Sequence, residues 1–377
     1  MEYRFEELFD LQMGKTPSRN NPEYWDSEDN KWISIADLSK CGKYIEETKE
    51  FLSDKAVDES GISLIPENTV VMSFKLSIGR TAITSEPMYS NEAIMSFRDK
   101  GVIELIPDYI YYLFLGKDWD TGTNKAVMGK TLNKATLSKI KVNIHNIDEQ
   151  RRIVQILDEV SGVIRSREKE IKTLDDLIKA RFVEMFGDPS INPMNWDRVN
   201  ISSVIDGKVS NGFFAKRDDY NDDGNVSVMG VAYIVNRMYS QWQNLPRTNG
   251  TDNDIEKYEV KYGEMLFCRS SLVAEGIGKA SIVPEDVPEN TLFECHVIRL
   301  PLDLKKCVPE FMQVLSTTDF FRQQLIAQSK TATMTTIGQD GILKANIILP
   351  PLDAQKEFYD FVKQVDKSKV GEATKED

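Results

Sequence analysis

The feature that most constrains this chain is a heptad pattern in its middle. Between residues 147 and 189, apolar positions recur at alternating intervals of four and three, and most positions between them are Glu, Asp, Lys or Arg. This spacing is typical of a coiled-coil helix. The heptad positions are Ile153, Leu157, Val160, Ile164, Arg167, Ile171, Leu174, Ile178, Arg181 and Met185, of which eight are apolar.

Boundary signals lie at both ends of this segment. Asn146 with Glu149 three residues later predicts a capping box, and Gly187 followed by Pro189 predicts a C-terminal stop. A helix over residues 147–186 would be a rod of roughly 60 Å, at about 1.5 Å per residue. A rod of this length favours a spacer between two domains, with a long core helix of a single domain as the alternative.

Residues 187–351 repeat the order of segments in residues 1–146. The stretch GEMLFCRSSLVAEGIGKASIV resembles VVMSFKLSIGRTAI, since both read as strand, polar turn, Ile-Gly-basic and strand. Beyond the two copies, Asp148 and Gln150 match Asp353 and Gln355. Several matches in the same order predict a tandem duplication. We therefore expect an α+β fold of two similar mixed α/β domains separated by the long helix.

The second copy is followed by a shorter helix. Its apolar positions match the first heptads of the central helix, but the pattern stops before Lys369 and the polar tail GEATKED follows. We therefore expect the central helix to extend beyond the C-terminal helix. Much of its apolar stripe from Ile164 to Met185 then has no matching apolar positions in this chain, unless another subunit covers it. The residues predicted to pack in the spacer are Ile153, Leu157, Val160, Ile164, Ile171, Leu174, Ile178, Met185, Phe358, Val362 and Val365.

The predicted organisation has five parts. Residues 1–146 and 187–351 form the two similar domains, residues 147–186 form the central helix, residues 352–370 form the short C-terminal helix, and residues 371–377 form a polar tail.

Few of the residue sets that enzymes need are present. The two histidines, His145 and His296, exclude a His-rich metal site and leave little for a Ser/His/Asp triad. The four cysteines stand far apart without a CxxC pair, which favours reduced thiols over disulfides or a zinc site. Residues 122–131, GTNKAVMGKT, place six residues between glycines where a phosphate loop needs four. We therefore predict no metal site and no nucleotide site in this chain.

The chain also carries no membrane signal. Its first residues, MEYRFEELFD, are charged, and no apolar run reaches the roughly 18 residues that a spanning helix needs. We expect a soluble, cytoplasmic protein that does not bind a membrane.

Basic, hydroxyl and amide side chains concentrate in the turns of both copies. Lys and Arg neutralise phosphates, hydroxyls and amides position a nucleic-acid backbone, and Arg and Asn pair with base edges. The candidate DNA contacts are Lys15, Thr16, Ser18, Arg19, Lys75, Ser77, Arg80, Lys130 and Asn133 in the first copy, and Lys216, Arg217, Arg269, Ser270, Lys279, Lys330 and Thr333 in the second.

The net charge of the chain argues against DNA binding. The formal charge is −13, whereas a free-standing DNA-binding domain is usually basic. The chain therefore either does not bind DNA, or binds it through local basic surfaces while a partner supplies much of the electrostatic attraction.

The sequence resembles the specificity subunit of type I restriction-modification systems. The resemblance lies in GKTPS, YW and WISIADL between residues 14 and 38, in IDEQRRIVQILDEV at the start of the central helix, and in LPPLDAQKEFYDFVKQVDKSK from residue 349 to residue 369. It covers nearly the whole chain. The predicted C-terminal helix departs from the family because it is short. In the family, this helix is usually long enough to pair with the central one.

This resemblance implies a division of labour. Two target-recognition domains would each read one half of a split site on double-stranded DNA, held apart by an antiparallel pair of helices. Modification subunits would carry S-adenosylmethionine and methylate adenine at N6, and a restriction subunit would carry ATP-driven translocation and cleavage, with Mg²⁺ also expected in the partners. The chain itself would hold no cofactor and catalyse nothing.

Two other function classes stay open at the level of the residues. NPEY at residues 21–24 resembles the Asn-Pro-Pro-Tyr signature of DNA amino-methyltransferases, although one proline and the Gly-rich cofactor turn are missing. This motif keeps open a methyltransferase with its own recognition domain, and the ExK dipeptide of Glu259 and Lys261 keeps open a nuclease of the same kind. The heptad pattern alone is also compatible with a coiled-coil scaffold for protein partners.

Overall fold

The computed structural model describes residues 1–75, 77–119, 124–126, 129–331 and 334–370. The chain divides into two compact units, residues 1–167 and residues 168–377. The boundary lies inside the central helix, so each unit includes one half of the predicted spacer. The predicted tail, residues 371–377, lies outside the described residues.

The first unit begins with a strand that pairs with the strand before the central helix. Its elements are β1 (Glu2–Arg4), α1 (Phe5–Leu8), β2 (Phe9–Met13), β3 (Asn30–Ile33), α2 (Ile35–Leu38), β4 (Tyr44–Ile45), β5 (Glu50–Leu52), α3 (Asp54–Ser60), β6 (Val70–Ser73), β7 (Thr81–Thr84), β8 (Tyr89–Ser90), β9 (Ile94–Asp99), α4 (Pro107–Leu115), β10 (Asn124–Ala126), β11 (Gly129–Thr131), α5 (Lys134–Ser138), β12 (Lys141–Asn143) and the first half of α6 (Ile147–Phe186).

The main sheet of this unit has the strand order β2-β9-β6-β7-β4. All residues of the central strand β6, VVMS, are buried, as expected of a strand covered on both faces. A second sheet has the order β5-β3-β8, in which β3 and β8 run parallel. Helix α4 and the first turns of α6 cover one side of the main core, where Phe5, Phe97 and Phe114 pack together.

The second unit continues from α6. Its elements are β13 (Asp197–Asn200), β14 (Ser210–Asn211), β15 (Val226–Met229), β16 (Arg247–Thr248), α7 (Asp252–Tyr258), β17 (Met265–Cys268), β18 (Ser270–Ser271), β19 (Ala280–Ile282), β20 (Thr291–Phe293), β21 (Val297–Leu300), α8 (Pro309–Thr317), α9 (Asp319–Ala327), β22 (Lys330–Thr331), β23 (Thr335–Thr336), α10 (Gln339–Leu343), β24 (Asn346–Leu349) and α11 (Leu352–Val370).

The two units share their topology, which confirms the predicted pair of similar domains. The order β14-β21-β17-β19 repeats β2-β9-β6-β7, and the order β16-β15-β20, with β15 and β20 parallel, repeats β5-β3-β8. The antiparallel pair β13-β24 repeats β1-β12. In each unit this last pair joins the start of the unit to the strand that leads into a spacer helix.

A buried glutamine fixes the start of each spacer helix in the same way. The Gln150 side chain accepts from the Ile106 N–H at 3.0 Å and donates to the carbonyl oxygens of Glu104 and His145. In the second unit the Gln355 side chain accepts from the Val308 N–H at 2.9 Å.

Gln355 also donates to two carbonyl oxygens, those of Lys306 and Pro350. Both glutamine side chains therefore satisfy backbone groups at the N-terminal ends of α4 and α8, whose first residues are prolines. The glutamine match found in the sequence thus corresponds to the same set of hydrogen bonds in the structure.

The first half of α6 is held to its unit by an ion pair as well as by apolar contacts. Lys43 Nζ lies 2.7 Å from Asp158 Oδ1, and the Tyr112 hydroxyl donates to the same oxygen at 2.5 Å. Burial opposes ionisation of Asp158, but these two hydrogen bonds outweigh it and lower the pKa of the carboxyl.

The second half of α6 packs antiparallel against α11. Arg181 lies 3.2 Å from Glu357 near the start of α11, while Asp175, earlier in α6, lies 2.7 Å from Lys369 near its end. The described part of α11 therefore ends beside Asp175. This matches the expectation that the central helix outruns its partner.

The burial of the predicted spacer residues follows from this short overlap. The described part of α11 ends beside Asp175, and three predicted positions nearer the middle of α6 are not packed against any helix among the described residues. Ile178, Phe358, Val362 and Val365 are buried; Ile153, Leu157, Leu174 and Met185 are half-buried; Val160, Ile164 and Ile171 are 49%, 53% and 45% exposed.

Candidate nucleic-acid interface

Four polar segments of the first unit lie side by side at one end of the strands of its main sheet. The Gly14 N–H donates to the Ile94 carbonyl at 3.1 Å, the Phe74 N–H to Ala93 at 3.0 Å, and the Leu132 N–H to Phe74 at 3.0 Å. We call the described residues of these segments the first loop edge. It comprises residues 14–20, 73–75, 77–80, 91–94 and 132–133.

The second unit builds the same edge with the same bonds. The Gly212 N–H donates to the Val297 carbonyl at 3.2 Å, the Arg269 N–H to His296 at 2.9 Å, and the Ile337 N–H to Arg269 at 3.0 Å. The second loop edge comprises residues 212–217, 268–279, 294–297, 330–331 and 334–338. The two edges therefore share a backbone scaffold, although their side chains differ.

Glycine is required in the first segment of each loop edge, where the backbone passes close to a neighbouring segment of the chain. A Cβ at Gly14 would lie 2.3 Å from the carbonyl oxygens of Ser90 and Asn91, and a Cβ at Gly212 would lie 2.2 Å from the Phe293 carbonyl. Such contacts are shorter than any van der Waals approach, so only glycine allows the backbone to pass here. The sequence motif GKTPS thus has a structural cause at its first residue.

Some of the predicted DNA contacts in the first edge already have partners within the unit. Lys15 Nζ donates to the Ser60 carbonyl, and Thr16 Oγ1 donates to Glu92. The Arg19 guanidinium pairs with Glu50 and lies 3.6 Å from the centre of the Trp25 ring. These contacts of Arg19 stabilise the conformation of the loop.

The remaining predicted residues of the first edge are less engaged. Ser77 and Arg80 are exposed at the tip of the β6–β7 turn, and Lys75 lies over the Phe74 ring. Asn133 caps α5, accepting from the Thr136 N–H at 2.8 Å. Ser18 is exposed, and the side chain of Lys130 lies outside the described residues.

In the second edge, Lys216 and Arg217 are exposed at the end of the glycine segment. Arg269 donates to the Cys295 carbonyl at 3.2 Å, and Lys279 donates to Asn236 Oδ1 at 2.8 Å. The structure thus brings Lys216, Arg217, Arg269, Ser270, Lys279 and Lys330 to one edge, while Thr333 lies outside the described residues.

A cavity of about 430 Å³ opens beside the second loop edge. Ser270 and Met334 line it together with four residues that were not among the predicted DNA contacts, namely Tyr220, Tyr233, Glu294 and His296. Burial raises the pKa of the Tyr220 hydroxyl, which therefore stays a neutral donor. Aromatic walls with a few polar groups suit a flat, hydrogen-bonding ligand such as a base.

Two of these residues, Glu294 and His296, share one structural position. Glu294, Cys295 and His296 form a tight turn, closed by the Val297 N–H donating to the Glu294 carbonyl at 2.9 Å. The corresponding turn of the first unit is Asn91-Glu92-Ala93, closed by Ile94. The hydrogen bond from Thr16 lowers the pKa of the Glu92 carboxyl. Only an alignment of the two copies through this turn would have indicated these residues.

In the part of the chain that the structure describes, every helix is too short or too polar to cross a membrane.

Comparison with known proteins agrees with the topology. The chain is similar to the type I restriction enzyme MjaIX specificity subunit of Methanocaldococcus jannaschii, with 24% identity over 57% of this chain and 49% of that protein. It is 28% identical to the EcoR124I/EcoR124II specificity subunit of Escherichia coli over 41% of this chain and 39% of that protein. The matched region spans less than half the length of either relative.

A solved structure has the same fold. The S subunit of a type I restriction-modification system from M. genitalium superposes with a TM-score of 0.51 and 10% identity, covering 98% of this chain and 90% of that one. The profile of the family described as "Type I restriction modification DNA specificity domain" matches residues 1–175 and again residues 193–376. Two domain matches, each including one loop edge and all or part of a spacer helix, therefore place this chain in the type I restriction-modification DNA specificity family.

Proposed function

We propose that this chain recognises a bipartite site on double-stranded DNA, with one half-site contacted by each loop edge. The observation that carries the proposal is that one backbone scaffold occurs twice with different side chains on it. The hydrogen bonds of Gly14 and Gly212 align the two segments, so Lys15 and Thr16 of the first edge correspond in position to Phe213 and Phe214 of the second. Equal scaffolds with unequal side chains suit two half-sites of different sequence.

Recognition in this proposal is separate from catalysis. Membership of a specificity-domain family implies a recognition role, and we propose that modification subunits supply adenine N6 methylation with S-adenosylmethionine. A restriction subunit would supply ATP- and Mg²⁺-dependent translocation and cleavage. The complex would act on DNA in the cytoplasm, and the length of α6 would set the number of unspecified base pairs between half-sites.

The acidic composition is compatible with this role if partners surround the DNA. A charge of −13 opposes binding by the free chain, so much of the attraction to phosphates must come from the modification subunits. The exposed apolar positions of α6 offer these subunits a docking surface. They include Ile156, Val160, Val163, Ile164 and Ile171.

The direct test is methylation-aware sequencing of the host genome. We expect a split motif with N6-methyladenine in both halves that disappears when the gene is deleted. A complex that assembles but methylates no split motif would contradict the proposal. Methyl transfer by the purified chain alone would instead support the methyltransferase alternative.

The loop edges can be tested one at a time in the assembled complex. Ala substitution of Ser77 and Arg80, or of Lys216 and Arg217, should weaken DNA binding, and each lost phosphate contact should reduce the salt slope of log K by about 1. Lys139→Ala and Lys305→Ala remove exposed lysines outside the edges and should leave binding unchanged. Equal effects of edge and control variants would favour a scaffold that does not contact DNA.

A further inference from the structure

The turn that joins β20 to β21 brings three different metal-ligand side chains together. Within the described part of the chain, one oxygen of Glu294, the sulfur of Cys295 and one ring nitrogen of His296 lie within 4.8 Å of one another. Three consecutive side chains converge because the chain forms a tight turn here, whereas in a strand they would alternate between two faces.

The ligand set has the chemistry of a zinc site. Zn²⁺ takes thiolate, imidazole and carboxylate ligands at about 2.0 to 2.3 Å, which places ligand atoms about 3.5 Å apart in a tetrahedral site. Glu294 Oε1 and His296 Nε2 are 4.0 Å apart, so only small side-chain rotations are needed. A divalent cation also supplies the charge that lets a carboxylate and a thiolate lie together.

A neighbouring side chain orients the imidazole as metal-bound histidines require. Ser270 Oγ lies 3.2 Å from His296 Nδ1, and this hydrogen bond leaves Nε2 facing Glu294. A ligating histidine usually uses its second nitrogen in such a bond, which holds the ring in place.

The fold itself does not need this set of residues. In the first unit the same turn is Asn91-Glu92-Ala93, and its single carboxylate is bonded to Thr16. The duplicate therefore forms the turn without a thiol or an imidazole, so packing alone does not account for Cys295 and His296.

We propose that Glu294, Cys295 and His296 bind one Zn²⁺ ion, with water in the remaining position. The ion ties the turn of the second loop edge together beside the Tyr220 and Tyr233 cavity. The inference does not depend on DNA binding, because it concerns the chain alone.

The test uses the full chain after treatment with a chelator, titrated with Co²⁺ as a spectroscopic probe for Zn²⁺. We expect one equivalent of Co²⁺ to produce thiolate-to-cobalt charge-transfer absorption, and added Zn²⁺ to abolish it. Zn²⁺ should also raise the Tm of the chain. No charge-transfer absorption in the unsubstituted chain would overturn the proposal.

The first unit supplies a matched variant. Glu294→Asn with Cys295→Glu and His296→Ala places the first unit's turn sequence in the second unit, so the fold should be kept. This variant should lose the cobalt absorption and the Tm shift, and Co²⁺ affinity should fall at least about tenfold, while its metal-free Tm stays near that of the unsubstituted chain. Cys41→Ser, a half-buried thiol of the first unit, should retain the absorption. The same absorption in the triple variant would show binding elsewhere and overturn the assignment.

Discussion

At the scale of single residues, the buried glutamines Gln150 and Gln355 each hydrogen-bond three backbone groups at the start of a spacer helix and of a neighbouring helix. Gln355 is fully buried and makes three hydrogen bonds to backbone groups of two segments, just before α8 and just before α11. Removing its amide leaves the Val308 N–H and two carbonyl groups without these partners in an apolar setting. Unsatisfied buried groups cost about 1 to 3 kcal/mol each, partly offset where water enters.

We therefore expect Gln355→Ala to lower the free energy of unfolding of the second unit by about 2 to 4 kcal/mol, a range built from that cost. Denaturant unfolding monitored by circular dichroism measures the loss. The control is Gln364→Ala on the exposed face of the same helix, which should change the free energy by less than about 0.5 kcal/mol. Equal losses in the two variants would mean that the hydrogen bonds of Gln355 contribute little.

Sequence comparison within the chain identified this residue but not its function in the fold. Gln150 and Gln355 match because each follows Asp by two positions at a helix start. Their partners, Ile106 and Val308, lie more than forty residues earlier, so no local pattern connects them. In the same way, the sequence predicted Asn133 as a DNA contact from its amide, and the structure adds a local role, because its side-chain oxygen caps α5.

At the scale of elements, the heptad pattern predicted the extent of α6 correctly but not all of its contacts. Past Ile178 the pattern continues to Arg181, yet the buried residues are Phe182 and Phe186. Intervals of four follow the 3.6-residue period of a straight helix on a globular core, and the coiled-coil period of 3.5 no longer applies there. This half of α6 contacts both α11 and the core of its unit.

Phe182 should accordingly be a major packing residue of the second unit. Its ring lies 5.5 Å from that of Phe311 and 5.6 Å from that of Phe358, so it joins α6 to α8 and α11. Phe182→Ala should lower the free energy of unfolding by about 3 to 5 kcal/mol, as expected for a buried aromatic.

The neighbouring Val183 provides the control, since it is 53% exposed on the same helix turn. Val183→Ala should shift the unfolding midpoint far less than Phe182→Ala. A small effect of Phe182→Ala would show that α6 contributes little to the stability of the second unit.

At the scale of the whole molecule, the duplication was predictable from the repeated order of segments, and the family was predictable from the resemblance of motifs such as GKTPS and IDEQRRIVQILDEV. The two loop edges were only partly predictable. Basic turn residues indicated them, but Glu294 and His296 became visible only when the shared hydrogen bonds aligned the copies. The two tyrosines became visible only from the cavity that they line. Side chains that differ between duplicates leave no repeated pattern for a single sequence to show.

The uncovered middle of α6 leads to a prediction about assembly. Val160, Ile164 and Ile171 are exposed in this chain, so their substitution by Ser should change its own free energy of unfolding by less than about 0.5 kcal/mol each. If modification subunits cover this stripe, the same changes remove apolar contact from the interface, where burial contributes about 25 cal/mol per Å². We expect the triple variant to co-purify poorly with the modification subunit while its thermal unfolding is unchanged.

A surface control separates this effect from a general loss of solubility. Lys169 and Lys172 are exposed on the same stretch of α6, and their substitution by Ser changes charge without removing the apolar stripe. Co-purification of the stripe variant at the unsubstituted level would place the docking surface elsewhere. Selective loss in the stripe variant would mean that the exposed heptad positions of α6 hold the complex together.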